Sequence, residues 1–124
     1  MTIWILLAAG GAAGALARFT LAGWIHDRAG AGFPWGTLAV NVLGSFLLGL
    51  VMTGLASSAY QLQLGALLAI GFLGDFTTFS TFAYEAVMLL RSREWARALG
   101  YVLGSAGLAM AAVTAGMVCG VWLR

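Results

Sequence analysis

Long apolar runs separated by short polar loops constrain this chain more than any other feature of its sequence. Four runs lie at about residues 3–25, 35–55, 62–90 and 96–123. Charged residues make up only 8% of the 124 residues, whereas a soluble domain draws about a quarter of its composition from them. So few charges cannot cover a surface that faces water. A lipid bilayer is the solvent that fits, because the outside of a protein in hydrocarbon is apolar.

The sequence therefore predicts an all-α integral membrane protein, with a single domain of four transmembrane helices over residues 1–124. A spanning helix needs roughly 20 residues, which the first two runs supply. Pro34 fits the first turn of the second helix, where its missing N–H is harmless. Tryptophans near the predicted helix ends are typical of the membrane–water interface; they are Trp4, Trp24, Trp35, Trp95 and Trp122.

The third run is too long for one straight span, and it contains a polar stretch, GDFTTFST, at residues 74–81. Glycine, aspartate and hydroxyl residues favour local hydrogen bonds outside a helix. Irregular backbone survives in a membrane only where protein buries it or where it lines a cavity. We therefore expect a broken third helix whose break faces the protein interior, a feature that marks ion and substrate sites.

Small residues recur at a spacing of four in the first and last runs, which favours close contacts between helices. This spacing leaves open whether the contacts lie within one chain or between two chains. The pairs are Gly10 and Gly14, Gly100 and Gly104, and Gly116 and Gly120.

Polar side chains follow one face of the second helix and one face of the fourth. Thr37, Asn41 and Ser45 are spaced by four and share a face. Such a stripe either joins helices by hydrogen bonds or lines the path of a solute. Tyr101 and Ser105 share a face of the fourth helix in the same way, and either could simply bond to a neighbouring backbone group.

Phe79 and Phe82 enclose Ser80 and Thr81 in the polar stretch. Aromatic side chains at such positions usually pack against neighbours. The edge of a phenyl ring is weakly positive, however, so an anion can contact it while the ring excludes water. The sequence leaves both hypotheses open.

Two ionisable residues lie inside predicted spans, where charge is costly. Arg18 is expected either to point inward or to extend towards the interface. Glu85 is expected to form a structural hydrogen bond or an ion pair.

The chain lacks the groups of residues that most classes of enzyme use for catalysis. His26 is the only histidine, in the predicted loop after the first span, and Cys119 is the only cysteine. They cannot supply a cluster for a transition metal, and the sequence has no nucleotide-binding loop. We expect no enzyme and, without a basic face, no binding of nucleic acid.

Three segments carry a resemblance to a known family: GGAAGALARF at 10–19, WGTLAVNVLGSF at 35–46 and GFLGDFTTFSTF at 71–82. In this order, over four spans, the chain resembles the bacterial fluoride channels of the Fluc or CrcB family over nearly its whole length. The resemblance implies a fluoride-specific channel in the bacterial cell membrane that lowers cytoplasmic fluoride by passive export. It also implies an antiparallel, dual-topology homodimer with two pores at its interface.

The residues themselves and the resemblance together predict roles along this chain, and the resemblance matches Asn41, Phe79, Phe82, Tyr101 and Ser105 to the family's pathway. Arg18 and Glu85 are expected to be structural or to line a vestibule. Fluoride must exchange its water for weak donors along a path, and the residues expected there are Asn41, Phe79, Phe82, Tyr101 and Ser105, with the hydroxyls of Thr37, Ser80 and Thr81.

The resemblance further implies a structural sodium ion at the dimer centre, which is not the transported ion. Backbone carbonyls at positions matching Gly74 and Thr77 are expected to bind it. Unwound backbone at a helix break supplies such oxygens without a buried carboxylate.

Two positions depart from the family pattern. Asp75 stands where small residues are common, and its carboxylate would either cap the following half-helix or add negative charge near the ion sites. Ala109 replaces an expected serine further along the fourth helix.

The arginine distribution argues for a single orientation. The first and third loops and their flanks carry Arg28, Arg91, Arg93 and Arg97, and the other side carries Arg124. The positive-inside rule alone favours one orientation with both termini outside, whereas the resemblance implies both orientations.

Two other functions remain as alternatives. A small multidrug exporter would also have four helices in an antiparallel dimer, but it relies on a glutamate in the first span, where this chain has Arg18. A scaffolding subunit of a membrane complex would explain the paired glycines but not the polar break.

Overall fold

The computed structural model describes residues 1–30, 32–56 and 58–123, and all the regular secondary structure in these ranges is helical. Four helical stretches are long and apolar enough to cross a membrane. The helices are α1 (Thr2–Ala29), α2 (Trp35–Gly54), α3 (Gln61–Leu64), a π-helical segment (Gly65–Phe72), α4 (Leu73–Phe76), α5 (Phe79–Arg91) and α6 (Trp95–Trp122). The prediction of an all-α membrane fold with four spans is confirmed.

The third span runs from α3 to α5 and is broken between α4 and α5. Thr77 and Thr78 both have extended backbone angles, with φ −84°, ψ 159° and φ −146°, ψ 121° respectively. The break lies inside the predicted stretch of residues 74–81. It is narrower than that stretch, because helix occupies residues on both sides of these two threonines.

The first helix extends four residues beyond its predicted end at residue 25. His26 therefore lies in the last turn of α1 and not in a loop. The helix ends at Gly30, whose φ of 80° is a conformation that glycine adopts at little cost, and the Gly30 N–H donates to the His26 carbonyl at 3.0 Å. Neither glycine nor proline interrupts residues 24–29, so the helix has no reason to stop earlier.

At several glycines, two helices lie so close together that their backbones are in contact. A side chain at Gly14 would overlap the Phe72 carbonyl, and one at Gly116 would overlap the Phe46 carbonyl. Gly10 and Gly120 make equally close contacts with the third span and with α2, so two of the three predicted pairs pack within the chain. Gly100 and Gly104 have open space beside them.

The outer surface is that of a multi-pass membrane protein. Its tryptophans are 48% to 85% exposed, and they form two groups near opposite ends of the helices. Trp4 and Trp122 lie at one end, and Trp24, Trp35 and Trp95 at the other.

Loops one and three lie at the same end of the bundle. Arg97 Nη1 donates to the Gly32 carbonyl at 3.2 Å and to Glu94 Oε2 at 2.6 Å, which joins the two loops. Arg124, the residue expected to carry the charge of the opposite end, lies outside the described residues.

Candidate functional site

Asn41 holds the break in the third span. In a continuous helix the Thr78 N–H would donate to the Gly74 carbonyl. It donates instead to Asn41 Oδ1 at 2.8 Å, while Asn41 Nδ2 donates to the Thr78 carbonyl at 3.0 Å. One side chain from α2 thus satisfies both backbone groups of an extended residue inside the membrane, where unpaired groups are costly.

Thr78 also begins the second half of the span. Its Oγ1 accepts a hydrogen bond from the Thr81 N–H at 3.2 Å, as the N-cap of α5. That N–H would otherwise donate to the Thr77 carbonyl. The Thr78 hydroxyl in turn donates to Thr81 Oγ1 at 3.0 Å. The cap is therefore Thr78, and of the two alternatives for Asp75 the capping role is wrong.

Arg18 points to the same break. Its Nε donates to the Asp75 carbonyl at 2.9 Å, a group that would receive the Phe79 N–H in a continuous helix. Of the two expectations for Arg18, the inward orientation is confirmed. The Asp75 carboxylate lies against Gly11 of α1.

The break thus releases the carbonyls of Gly74, Asp75 and Thr77 from their helical donors. Arg18 donates to the Asp75 carbonyl. The N–H groups of Thr78 and Thr81, which would donate to the Gly74 and Thr77 carbonyls in a continuous helix, donate to side chains instead. Gly74 and Thr77 are the residues from which sodium ligands were predicted. Two freed carbonyl oxygens fit a hard cation such as sodium, since oxygen is the ligand atom that such cations prefer.

A cavity of about 430 Å³ adjoins the break, between α2, α4, α5 and α6. Its wall is largely apolar. We call it the break cavity. None of the described residues that line it is charged; the predicted site residues among them are Asn41, Gly74, Thr77, Phe79, Phe82 and Ser105. Ser45 and Ala109 also line it, and the buried Ser105 hydroxyl has no partner among the described residues.

The two phenylalanines lie in tilted contact, with ring centroids 5.9 Å apart. Phe82 continues to Tyr101 at 5.1 Å. Phe79 is 80% exposed, so its ring has little to pack against among the described residues of this chain. A packing role for Phe79 would need a surface from outside the described chain.

Glu85 organises a second polar cluster between α2, α5 and α6. It accepts hydrogen bonds from Thr37 Oγ1 at 2.9 Å and from the Tyr101 hydroxyl at 2.7 Å. Of the two kinds of contact expected for Glu85, the described residues show the hydrogen bond. A cavity of about 300 Å³ adjoins this cluster, and we call it the inner cavity; its polar lining residues are Arg18, His26, Thr37, Thr78, Thr81 and Glu85.

The predicted pathway residues are therefore divided between two cavities. Thr78 lines both of them. Tyr101 is fully buried and contacts the lining of the inner cavity through its hydrogen bond to Glu85. Ser80 is exposed on α5, with its Oγ 3.4 Å from Thr78 Oγ1. Sequence reasoning did not select Thr78. The signal available was a threonine three residues before Thr81 at a helix start, which is the usual N-cap spacing.

Comparison with known proteins agrees with this architecture. A family model described as CrcB-like protein, Camphor Resistance (CrcB), matches residues 5–117. The chain belongs to the CrcB family. A protein of Geobacter sulfurreducens named fluoride-specific ion channel FluC is 47% identical over 121 residues, which cover 95% of this chain and 96% of that protein.

Another protein of the same name, from Hahella chejuensis, is 46% identical over 114 residues, which cover 91% of this chain and 90% of that protein. One from Opitutus terrae is 42% identical over 128 residues, spanning 100% of this chain and 96% of that protein. All three organisms are bacteria. This CrcB chain is accordingly a multi-pass protein of the bacterial cell membrane, and its family is one of channels and not of enzymes.

Proposed function

We propose that this chain is a fluoride-specific ion channel that lowers cytoplasmic fluoride by passive export. The observation that carries the proposal is the break cavity, where an amide, hydroxyls and phenyl rings meet at a helix break and where no lining residue in the described ranges is charged. The relatives named as fluoride-specific channels support it.

The chemistry of the cavity suits an anion that holds its water strongly. The Asn41 amide nitrogen carries two hydrogens, and one of them goes to Thr78. The Ser105 hydroxyl has no other partner among the described residues. Ring edges of Phe79 and Phe82 add weak positive surface. Each donor is neutral, so each binds fluoride weakly enough to release it, as conduction requires.

The proposed assembly is an antiparallel homodimer with two pores along its interface. Phe79 supports it, since a ring 80% exposed beside a mid-span break calls for a protein surface opposite. The open space beside Gly100 and Gly104 leaves room for a further helix contact. Insertion of copies in both orientations is part of this proposal.

A structural sodium ion is the second part of the proposed assembly. The freed carbonyls of Gly74 and Thr77, one pair from each copy, would hold it. Bound there, the ion would supply a fixed positive charge that joins the two breaks. The cation is not transported, and the residues of this chain contribute backbone oxygens only.

A flux assay tests the function. Purified protein in liposomes should release fluoride to a fluoride-selective electrode and should not release chloride under the same gradient. Neither alternative function is favoured by the family. A multidrug exporter would instead move a cationic dye in exchange for protons, and a scaffolding subunit would move neither. Absence of fluoride release from folded protein would refute the channel.

A further inference from the structure

We propose that the charge on His26 controls the loading of anions into the inner cavity, so that fluoride affinity rises as the pH falls. The inference rests on the proposed function, because it concerns the entrance to that channel. It arises from two neighbouring cavities that share part of their lining.

The inner cavity adjoins an outer cavity of about 330 Å³ at the loop end of the bundle. His26, Pro34 and Glu85 line both. The outer cavity is bounded by Glu94 and Arg97 of loop three and α6, and the inner cavity ends at Thr78 and Thr81. Together the two cavities, which we call the cleft, extend from the loop end of the bundle to the helix break, and His26 lines both.

The fixed charges of the cleft nearly cancel. The inner cavity has Arg18 and Glu85, one of each sign, and the outer cavity has Glu85 and Glu94 against Arg97. With His26 neutral, the inner cavity carries no net charge and the outer one is net negative. Neither condition favours an anion. A proton on His26 adds one positive charge to each, which makes the inner cavity net positive and the outer cavity neutral.

The neighbouring cations are already engaged. Arg97 pairs with Glu94 at 2.6 Å and Arg18 binds the Asp75 carbonyl at 2.9 Å. Two further charged groups lie on the helix of His26 itself. Asp27 and Arg28 follow it directly, and the Arg28 guanidinium stacks on the Trp24 ring at 4.1 Å from its centroid. No other histidine exists in the chain, and histidine is the side chain whose charge normally changes between about pH 5 and 8.

The expected effect is on affinity and not on maximal rate. One charge that lines both cavities of the cleft should raise the local anion concentration about two- to threefold. Fluoride flux at concentrations well below saturation should rise by that factor between about pH 8 and about pH 6. Flux at saturating fluoride should stay constant, because the break cavity is unchanged.

The experiment compares wild-type channel with His26→Gln and His26→Arg in liposomes, with the same pH on both sides. His26 is exposed, so both variants should fold and elute as wild type. His26→Gln is the matched control, since leakage of hydrogen fluoride through the lipid is the same for both proteins. Protein-free liposomes measure that leak directly.

The wild-type concentration dependence should shift with pH. The concentration dependence of His26→Gln should not change with pH and should match that of the wild type at about pH 8. The concentration dependence of His26→Arg should also not change with pH, but it should match that of the wild type at about pH 6. An equal pH shift in His26→Gln, or no shift in wild type, would overturn the inference while leaving the channel intact. Loss of fluoride flux from wild type at every pH would instead count against the proposed function.

Discussion

Replacing Asn41 by aspartate separates two roles that the structure gives to one side chain. The amide holds the break through its bonds to the Thr78 N–H at 2.8 Å and the Thr78 carbonyl at 3.0 Å, and it lines the proposed ion path. Aspartate keeps the first bond, which becomes charge-assisted. It loses the second and places an anionic oxygen beside a carbonyl oxygen.

The two effects differ in size. Loss of one donor to a partly buried carbonyl costs about 1–3 kcal/mol of folding free energy, offset in part by the strengthened bond to the N–H. The charge acts more strongly on the ion. A fluoride about 4 Å from a carboxylate is repelled by about 1 kcal/mol in water and about 4 kcal/mol at an effective dielectric constant of 20. For a cavity with an apolar wall, we expect about 3 kcal/mol, or a loss of flux of roughly 100-fold.

Asn41→Ser is the matched control. Its short neutral side chain cannot reach both Thr78 groups, so it should destabilise the protein at least as much as aspartate does. It introduces no charge, however, and should retain more flux. In detergent, the unfolding temperature should therefore be highest for the wild type, lower for Asn41→Asp and lowest for Asn41→Ser. Fluoride efflux should instead be fastest for the wild type, slower for Asn41→Ser and slowest for Asn41→Asp. Flux that follows the order of stability would show that Asn41 acts only by holding the break.

Three further predictions concern residues beside the break. Phe79→Leu and Phe82→Leu should stop fluoride efflux in folded protein, whereas a packing role would limit the cost to about 1.5 kcal/mol of stability; wild-type efflux would exclude the ring-edge role. Thr78→Val should lower the unfolding free energy by about 1–2 kcal/mol through loss of the N-cap, with exposed Ser80→Ala as a nearly silent control by the same unfolding assay. Thr77→Ser should retain bound sodium, measured by elemental analysis of dialysed protein, because the proposed ligand is a backbone oxygen.

Composition and polarity were enough to predict the spans and the position of the break. Apolar runs mark the helices because each must cross the same thickness of lipid, and the observed ends lie within four residues of the predicted ones. The side chains that bind the backbone at the break could not be predicted from the sequence. No periodicity shows that Asn41 of α2 meets Thr78, 37 residues later, since that contact depends on how two helices pack.

The π-helical segment Gly65–Phe72 was not predicted. Its residues are those of an ordinary apolar helix, and a single widened stretch leaves the pattern of apolar residues nearly unchanged. Its neighbour gives the physical context. Gly10 of α1 lies so close to this segment that a side chain there would overlap the Leu67 carbonyl. Wide helical turns often occur near functional sites, and this one leads directly into α4 and the break.

The Glu85 cluster provides a last test, because its donors can be removed one at a time. Thr37→Val and Tyr101→Phe each delete one hydroxyl, and Tyr101→Phe keeps the ring beside Phe82 and Phe33. A hydrogen bond to a charged group is worth about 1.5–3 kcal/mol, so each variant should be destabilised by that order.

The two donors share one carboxylate, so their effects on unfolding should not add. Each protein is assayed well below its unfolding temperature, so that all of it is folded. If the two hydroxyls also bind fluoride along its path, the double variant should show slower efflux than the wild type even under these conditions. Efflux equal to wild type in the folded double variant would show that Thr37 and Tyr101 only position Glu85, and would restrict the fluoride path to the break cavity.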